Sequence, residues 1–210
     1  MPGKNSIKEY EAGAYYHIYN RGVEKRPIFL DEADYKTFLS YLKLYLSNPD
    51  LQGLTLKVSP SHKVKNYNGE IELLCYCLMP NHFHFLVKQS KYDAINRFIK
   101  SLLVKYSMYF NKKYNRVGKL FQGVYKAVKV GNQEQLLYLT RYIHLNPKKD
   151  NIVNHSYSSL DNYIGKFEQE WVKPGEILEY FSNTNKNLTY MAFLDLEDGL
   201  DLQGLTLKEE

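Results

Sequence analysis

Two histidines separated by one residue are the clearest candidates for chemistry in this sequence. His82 and His84 flank Phe83 within a strand-like apolar run. Alternate side chains of a β-strand point to the same face, which places the two Cα atoms about 7 Å apart. Two imidazoles in that arrangement can bind one divalent metal ion. The spacing alone is equally compatible with a packed, structural pair.

A second candidate group lies near the middle of the chain, where Tyr142 and Asn146 are four residues apart. On a helix this spacing puts both side chains on one face. If that helix crossed the face bearing His82 and His84, Tyr142 could bring its phenolic oxygen to a metal-bound phosphate, and Asn146 could supply an oxygen ligand. The chain contains 20 tyrosines, so any single tyrosine is structural by default and the spacing does not single out Tyr142.

The pattern of apolar and turn-forming residues predicts the elements that must position these groups. Strands are expected at 14–21, 71–79, 82–88 and 123–130, and helices from Asp31 to just before Asn48, at about 92–111, and from Asn132 to about Asn146. The order β-α-β-β-α-β-α predicts an α+β fold: a ferredoxin-like βαββαβ antiparallel sheet with an extra helix that carries Tyr142. The first two helices should cover one face, leaving the histidine face for the third. Residues 1–165 would form this domain, and residues 166–210 a helical extension with an acidic tail.

The net charge of +5 is spread unevenly along the chain. Residues 97–149 contain twelve Lys or Arg against one acid, Glu134, a local charge of +11, together with nine Tyr or Phe. Cations gain counterion-release free energy on phosphates, and aromatic rings stack on unpaired bases. The segment therefore favours a nucleic-acid partner over a merely solvated face, without distinguishing DNA from RNA.

Composition indicates a globular protein, with 44% hydrophobic and 24% charged residues. No apolar run approaches the roughly 18 residues of a membrane span, and the N-terminus lacks a signal-peptide core. Cys75 and Cys77 are neighbours on one predicted strand, where they cannot easily bridge each other, so we expect reduced core thiols. These features predict a cytoplasmic protein without a membrane partner.

Several blocks of the sequence together resemble a known family, the single-tyrosine HUH transposases, and in particular their REP-associated tyrosine transposase branch. The resemblance spans roughly residues 14–165, and MPNHFH together with YIHLNP is its most specific combination. The blocks, in family order, are YHIYNRG (16–22), IFLDEADYKTFL (28–39), LMPNHFHFLV (78–87), GKLFQGVYK (118–126), RYIHLNP (141–147) and YSSLDNY (157–163).

The resemblance implies a function and a set of site residues. His82 and His84 would bind Mg²⁺ or Mn²⁺, Asn146 would complete the metal site, and Tyr142 would be the nucleophile that cleaves and rejoins single-stranded DNA through a 5′-phosphotyrosine. The expected substrate is DNA with an imperfect hairpin. The cations predicted to contact it are Arg21, Arg97, Lys112, Lys113, Arg116, Lys119, Lys126 and Arg141.

Other functions stay open at this stage. A transposase-derived protein that binds single-stranded or structured nucleic acid without cutting it would use the same basic segment. A metal-dependent hydrolase would use water in place of Tyr142, and a structural module would merely pack the two histidines. Both a monomer and a homodimer with shared active sites are compatible with the sequence. An octapeptide, DLQGLTLK, occurs at 50–57 and again at 201–208, and its meaning is open.

Overall fold

The chain folds around one antiparallel sheet, seen in a computed structural model that describes residues 9–49, 65–149 and 157–196. The strands are β1 (Tyr15–Arg21), β2 (Ile71–Met79), β3 (His82–Gln89) and β4 (Lys126–Lys129), in the order β2-β3-β1-β4. Every neighbouring pair is antiparallel. The predicted α+β class and ferredoxin-like sheet are confirmed, although β4 is shorter than the predicted segment 123–130.

Two long helices, α1 (Glu32–Leu46) and α2 (Ala94–Lys113), cover one face of the sheet. Asp31 forms the predicted start of α1, since its side chain accepts from the Asp34 N–H in a capping box. The larger core lies between these helices and the sheet. Its fully buried members include Ile18, Phe38, Leu42, Phe83, Phe85, Phe98, Ile99, Leu102 and Tyr106.

The third helix, α3 (Gln133–Lys149), packs on the opposite face, as predicted. Asn132 caps it by accepting from the Gln135 N–H at 2.8 Å. Its end differs from the prediction at Asn146, because the helix continues through Pro147 to Lys149. Proline removes one backbone donor and disfavours the helical conformation of the preceding residue. In the last turn this loss is small enough for the helix to continue for two more residues.

The chain after α3 returns to the free edge of β2. Ser158 and Val172 form isolated bridges with Cys77 and Leu73, so the exposed edge of the sheet is partly paired. Three short helices follow, α4 (Leu160–Tyr163), α5 (Gly175–Leu178) and α6 (Tyr190–Leu194). Ile177, Tyr190 and Leu194 join the same buried cluster as α3. The described part of the predicted C-terminal extension therefore packs against the sheet domain.

A β-bulge in β2 decides which residues face α3. Leu73 pairs with Val87 and Cys75 pairs with Leu86, so Leu74 is an extra residue and the side-chain alternation shifts by one. Beyond the bulge, Cys75 and Cys77 both face the α3 side, where they are buried and unoxidised. Burial raises the pKa of the Cys75 thiol well above its ordinary value, which fits the predicted role as an inert core residue.

A buried carboxylate joins the start of α1 to the end of α2. Asp34 is fully buried and accepts from Lys113 Nζ at 2.7 Å, the Tyr114 hydroxyl at 2.8 Å and the Leu30 N–H at 2.8 Å. Burial by itself would raise the pKa of Asp34, but the bonds from Lys113 and these neighbours outweigh it and lower the pKa below the ordinary value. The ionised form is therefore the stabilising one.

We expect Asp34→Asn to lower the free energy of unfolding at pH 7 by about 2 to 3 kcal/mol, since hydrogen bonds to a charged group are lost. A lowered folded-state pKa gives stability that is present above the unfolded pKa near 4 and lost as the pH falls through the folded value. The difference in unfolding free energy between the two proteins should thus be constant from pH 7 to about 5 and should narrow as the pH falls through about 4 and below in urea titrations. Glu32→Gln, which breaks only the exposed 3.0 Å pair with Lys36, is the control and should change little. A gap that stays constant with pH would contradict this role of Asp34.

Both copies of DLQGLTLK, and the acidic tail after residue 196, fall outside the described residues. Among the helices of the described residues, none is long and apolar enough to cross a membrane.

Candidate active site

The turn between β2 and β3 fixes the position of His82. The Asn81 carbonyl accepts from the Gly22 N–H at 2.8 Å, and the Asn81 amide donates to the Lys25 carbonyl at 3.2 Å. The Asn81 Oδ1 atom lies 2.6 Å from His82 Nδ1. The predicted Pro80-Asn81 turn therefore both begins β3 and orients the first histidine ring.

His82 and His84 face the α3 side of the sheet, as the alternation predicts. Their ring centroids are 4.9 Å apart and the rings are nearly perpendicular, at 87°. His84 is fully buried, whereas His82 is partly exposed. The intervening Phe83 is buried in the core on the other face.

Helix α3 brings Tyr142 to this pair. Leu136, Leu139 and Ile143 are buried against the sheet and anchor the helix. The Tyr142 ring is then edge-on to the His84 ring, with centroids 5.4 Å apart and an interplanar angle of 86°. The structure thus brings together three of the four residues predicted to carry the chemistry, from two elements that are distant in sequence.

A buried polar network holds α3 at the level of Tyr142. His144 Nδ1 lies 2.6 Å from the Tyr190 hydroxyl, and its Nε2 lies 2.8 Å from Ser159 Oγ. Ser159 in turn accepts from the Tyr76 N–H on β2 at 2.9 Å. Burial lowers the pKa of His144 to about 3, so the ring is neutral at physiological pH. His144 therefore links the helix to the sheet edge and to α6, a contribution that the sequence analysis did not identify.

Asn146 lies one turn beyond Tyr142 and is buried, with 6% exposure. Its Nδ2 donates to the Tyr142 carbonyl at 3.3 Å, which leaves Oδ1 as the atom of the amide suited to a metal ion. A role for Asn146 as third ligand stays a prediction.

The donor set at this site fits a divalent cation. The Nδ1 atoms of His82 and His84 both take part in hydrogen bonds, to Asn81 and to His17, so an ion would be bound through Nε2. Metal-ligating histidines ordinarily have such a partner on the second nitrogen. Within the described ranges, no group of three or more His, Cys, Asp or Glu side chains is arranged to hold a metal ion. The candidate donors are therefore the two imidazoles together with the Asn146 amide oxygen.

His17 is a third histidine at the site, and the sequence analysis missed it. It lies on β1, the strand next to β3, and is fully buried with its Nε2 2.9 Å from His84 Nδ1. The signal was present in the sequence, because β1 neighbours β3 in the predicted sheet and His17, Tyr19 and Arg21 share one face by alternation.

Two of the predicted DNA-contacting cations lie on the histidine face. Arg21 is the register partner of His82 and donates to Gln122 Oε1 at 2.7 Å. Lys126 is the register partner of Tyr19 and is half-buried. These two cations border the site on strands β1 and β4.

Other predicted cations are engaged elsewhere. Arg97 lies on α2, at the opposite side of the sheet, and forms ion pairs with Asp93 and Glu70. Lys113 binds the Asp31 and Asp34 carboxylates. Arg141 donates to the Phe193, Leu194 and Leu196 carbonyls. Arg116 donates to Asn111 Oδ1, while Lys112 and Lys119 are exposed.

A solved structure shares this fold. A REP-associated tyrosine transposase, solved bound to a REP hairpin, superimposes with a TM-score of 0.53 at 13% identity, over 80% of this chain and 93% of its own. A proposed transposase from Deinococcus radiodurans R1 gives a TM-score of 0.38 at 14% identity, over 72% and 97% of the two chains. A search of curated proteins found no match.

The sequence itself matches the family model described as "Transposase IS200 like" over residues 12–146. The match covers more than half of the chain and runs from the strand that carries His17 to Asn146 at the end of the predicted site. The family expected from the sequence blocks is therefore confirmed, and the chain belongs to the IS200-like transposase family.

Proposed function

We propose that this protein cleaves and rejoins single-stranded DNA by transesterification, with Tyr142 as the nucleophile. The approach of the Tyr142 ring to His84, at 5.4 Å between centroids, is the observation that carries the proposal. A tyrosine beside two partly oriented imidazoles can attack a phosphate held at the same point. Family membership supports a DNA-processing role for this arrangement.

Each step of the proposed reaction breaks one phosphoester bond and forms another. The Tyr142 oxygen loses its proton and attacks phosphorus, the bond from phosphorus to the 3′-oxygen breaks, and the leaving strand takes up a proton as a 3′-hydroxyl. The other strand end stays linked to the protein as a 5′-phosphotyrosine. Attack by a second 3′-hydroxyl reverses the step, joins a new strand and restores the tyrosine, so no external energy source is required.

In this proposal His82 and His84 would hold Mg²⁺ or Mn²⁺ through Nε2, and Asn146 Oδ1 would be a further ligand. A bound divalent ion would supply Lewis-acid polarisation of the scissile phosphate. The neutral imidazoles and amide add no negative charge beside the DNA backbone. Helix α3, clamped by His144, keeps Tyr142 aimed at the histidine face.

The substrate we propose is single-stranded DNA that contains an imperfect hairpin. A protein of the same fold was solved with a REP hairpin, and the cations Arg21 and Lys126 border the candidate site. The REP-associated branch of the family is the one we assign on this basis.

Covalent trapping tests the function directly. Purified protein with Mn²⁺ is incubated with single-stranded oligonucleotides that carry an imperfect hairpin with randomised flanks, labelled at either the 3′ or the 5′ end. Since the protein keeps the 5′-phosphate side, only the 3′ label should migrate with the protein on a denaturing gel. The 5′ label should appear in a shorter free strand, and EDTA should abolish both products.

The alternatives give different gels. Cleavage of the DNA without label on the protein would indicate a hydrolase that uses water. A shift on a native gel without cleavage under any Mn²⁺ concentration would indicate a protein that only binds nucleic acid.

Removal of Arg21 should weaken binding to hairpin DNA by a similar factor for different DNA sequences. Arg21 lies opposite His82 on the candidate DNA-contacting face, so we expect Arg21→Ala to lower affinity several-fold. Loss of one phosphate contact should also reduce the slope of log K against log salt by about 0.7 for a single strand. Fluorescence anisotropy over a salt series, with Mn²⁺ absent to prevent cleavage, measures both effects.

Arg97→Ala is the matched control for Arg21→Ala. Arg97, like Arg21, is an arginine whose guanidinium contacts other side chains. It lies on α2, at the other side of the sheet, where it forms ion pairs with Glu70 and Asp93. Its removal should leave the affinity and the salt slope unchanged. The reverse result would place the DNA on the α1 and α2 face and contradict the proposed surface.

A further inference from the structure

The buried imidazole of His17 lies directly behind His84. Its Nε2 is 2.9 Å from His84 Nδ1, and the two ring centroids are 5.1 Å apart with an interplanar angle of 19°, so the two rings lie nearly coplanar and end to end. It also meets the Tyr142 ring edge-on, at 6.1 Å. His17 is fully buried, and a buried polar ring in this position requires a defined hydrogen-bonding role.

A hydrogen bond between two neutral imidazoles admits two proton arrangements. Either His17 Nε2–H donates to His84 Nδ1, or His84 Nδ1–H donates to His17 Nε2. A neutral imidazole that binds an ion through Nε2 carries its proton on Nδ1. Only the second arrangement is therefore compatible with His84 as a ligand through Nε2.

We propose that His17 is a positioning residue that holds His84 as its Nδ1–H tautomer and so presents His84 Nε2 to the metal ion. The inference rests on the proposed function of His84. His82 has a comparable partner, the Asn81 Oδ1 atom at 2.6 Å, but that pair is partly exposed at the turn. The His17–His84 pair is closed to solvent, so water cannot substitute for His17.

The geometry separates this role from that of a third ligand. In the proposed arrangement the His17 Nε2 lone pair is used by the His84 N–H and cannot also bind an ion. An imidazole that accepts this bond is uncharged, unlike the carboxylate often found behind a metal-binding histidine, so it would orient His84 without offsetting the positive charge that the phosphate needs.

The tautomer of His84 can be measured in the metal-free full-length protein. Long-range ¹H–¹⁵N correlation spectra of the histidine rings should show His84 with its proton on Nδ1. In His17→Leu the acceptor is gone, and His84 should populate both tautomers or change to the other. His17→Gln should restore the wild-type pattern, since its Oε1 can accept near the position of the lost Nε2. Equal melting temperatures, within a few degrees, would show that the variants are folded.

Manganese affinity provides the second measurement. By titration calorimetry, His17→Leu should bind Mn²⁺ about 10- to 100-fold more weakly than the wild type, the usual effect of losing such a partner. His17→Gln should bind close to wild-type strength. Arg97→Ala is the control, because Arg97 lies on α2 at the other side of the sheet and pairs there with Glu70 and Asp93, and it should change neither measurement.

Each other outcome overturns the inference. A wild-type His84 with its proton on Nε2, or a His17→Leu variant with unchanged tautomer or unchanged Mn²⁺ affinity, would exclude a positioning role. Equal loss of Mn²⁺ binding in His17→Leu and His17→Gln would make His17 a ligand itself. If the wild type bound no Mn²⁺, the proposed function of His84 would fail, while the metal-free tautomer measurement would still decide what His17 does to its neighbour.

Discussion

A Tyr142→Phe variant is expected to form no covalent adduct with DNA. Its cleavage rate should fall by a factor on the order of 10⁴ or more, as happens in other enzymes when the nucleophile is removed. Phenylalanine keeps the ring that packs edge-on against His84 and removes only the attacking oxygen. Binding of the hairpin oligonucleotide and the melting temperature should therefore stay at wild-type values. The 3′-label transfer on a denaturing gel measures the loss.

The matched control is Tyr19→Phe. The Tyr19 ring also lies close to His84, at 6.0 Å between centroids, but it is a buried strand residue with only 5% exposure. It is poorly placed to meet a DNA phosphate, so adduct formation should persist in this variant. An adduct that survives in Tyr142→Phe and disappears in Tyr19→Phe would transfer the nucleophile to β1.

The fold was predictable because local signals and sheet geometry agreed. Asp31 at the start of α1, the Pro80-Asn81 turn and the alternation of His82 and His84 each determine one short segment independently of the rest. Because the two helices that connect the strands cover one face of the sheet, the other face is left for α3. The end of α3 was less predictable, since the effect of Pro147 depends on its being in the last turn, where few helical hydrogen bonds remain to be lost.

The surroundings of the cations predicted to contact DNA were much less predictable. The excess of charge from 97 to 149 is real, but the acids that neutralise Arg97 and Lys113 come from distant segments, among them Glu70 and Asp34. Arg141 donates to backbone carbonyls of Phe193 and Leu194 at the end of α6. A count of charges along the sequence cannot detect partners that only the tertiary fold supplies.

The same limitation explains why His17 and His144 were overlooked. Neither is spaced from another histidine in a way that is typical of metal ligands, so the sequence alone gives no reason to select either residue. His17 acquires its partner across two strands, and His144 acquires Tyr190 and Ser159 from the C-terminal chain. Residues that orient the chemical groups are visible only when the strand order and the packing of α3 are known.

The second large effect is expected from His82→Ala, which removes one of the two proposed imidazole ligands. His82 is the better test of the pair because it is partly exposed, whereas truncation of the buried His84 would also open a cavity. Loss of the ion's contribution at the phosphate should slow cleavage by about 10³-fold at a Mn²⁺ concentration that saturates the wild type. Hairpin binding in the absence of metal should be unchanged.

A metal titration separates this effect from loss of the nucleophile. After EDTA treatment, added Mn²⁺ should restore cleavage in the wild type, and His82→Ala should need a much higher concentration or recover only in part. Tyr142→Phe should bind Mn²⁺ as the wild type does and yet cleave at no concentration. If His82→Ala instead recovered with the wild-type Mn²⁺ dependence, His82 would not be a ligand. The ion would then have to be held by His84 with other groups, because His82 and His84 are the only imidazoles that the proposed site assigns to it.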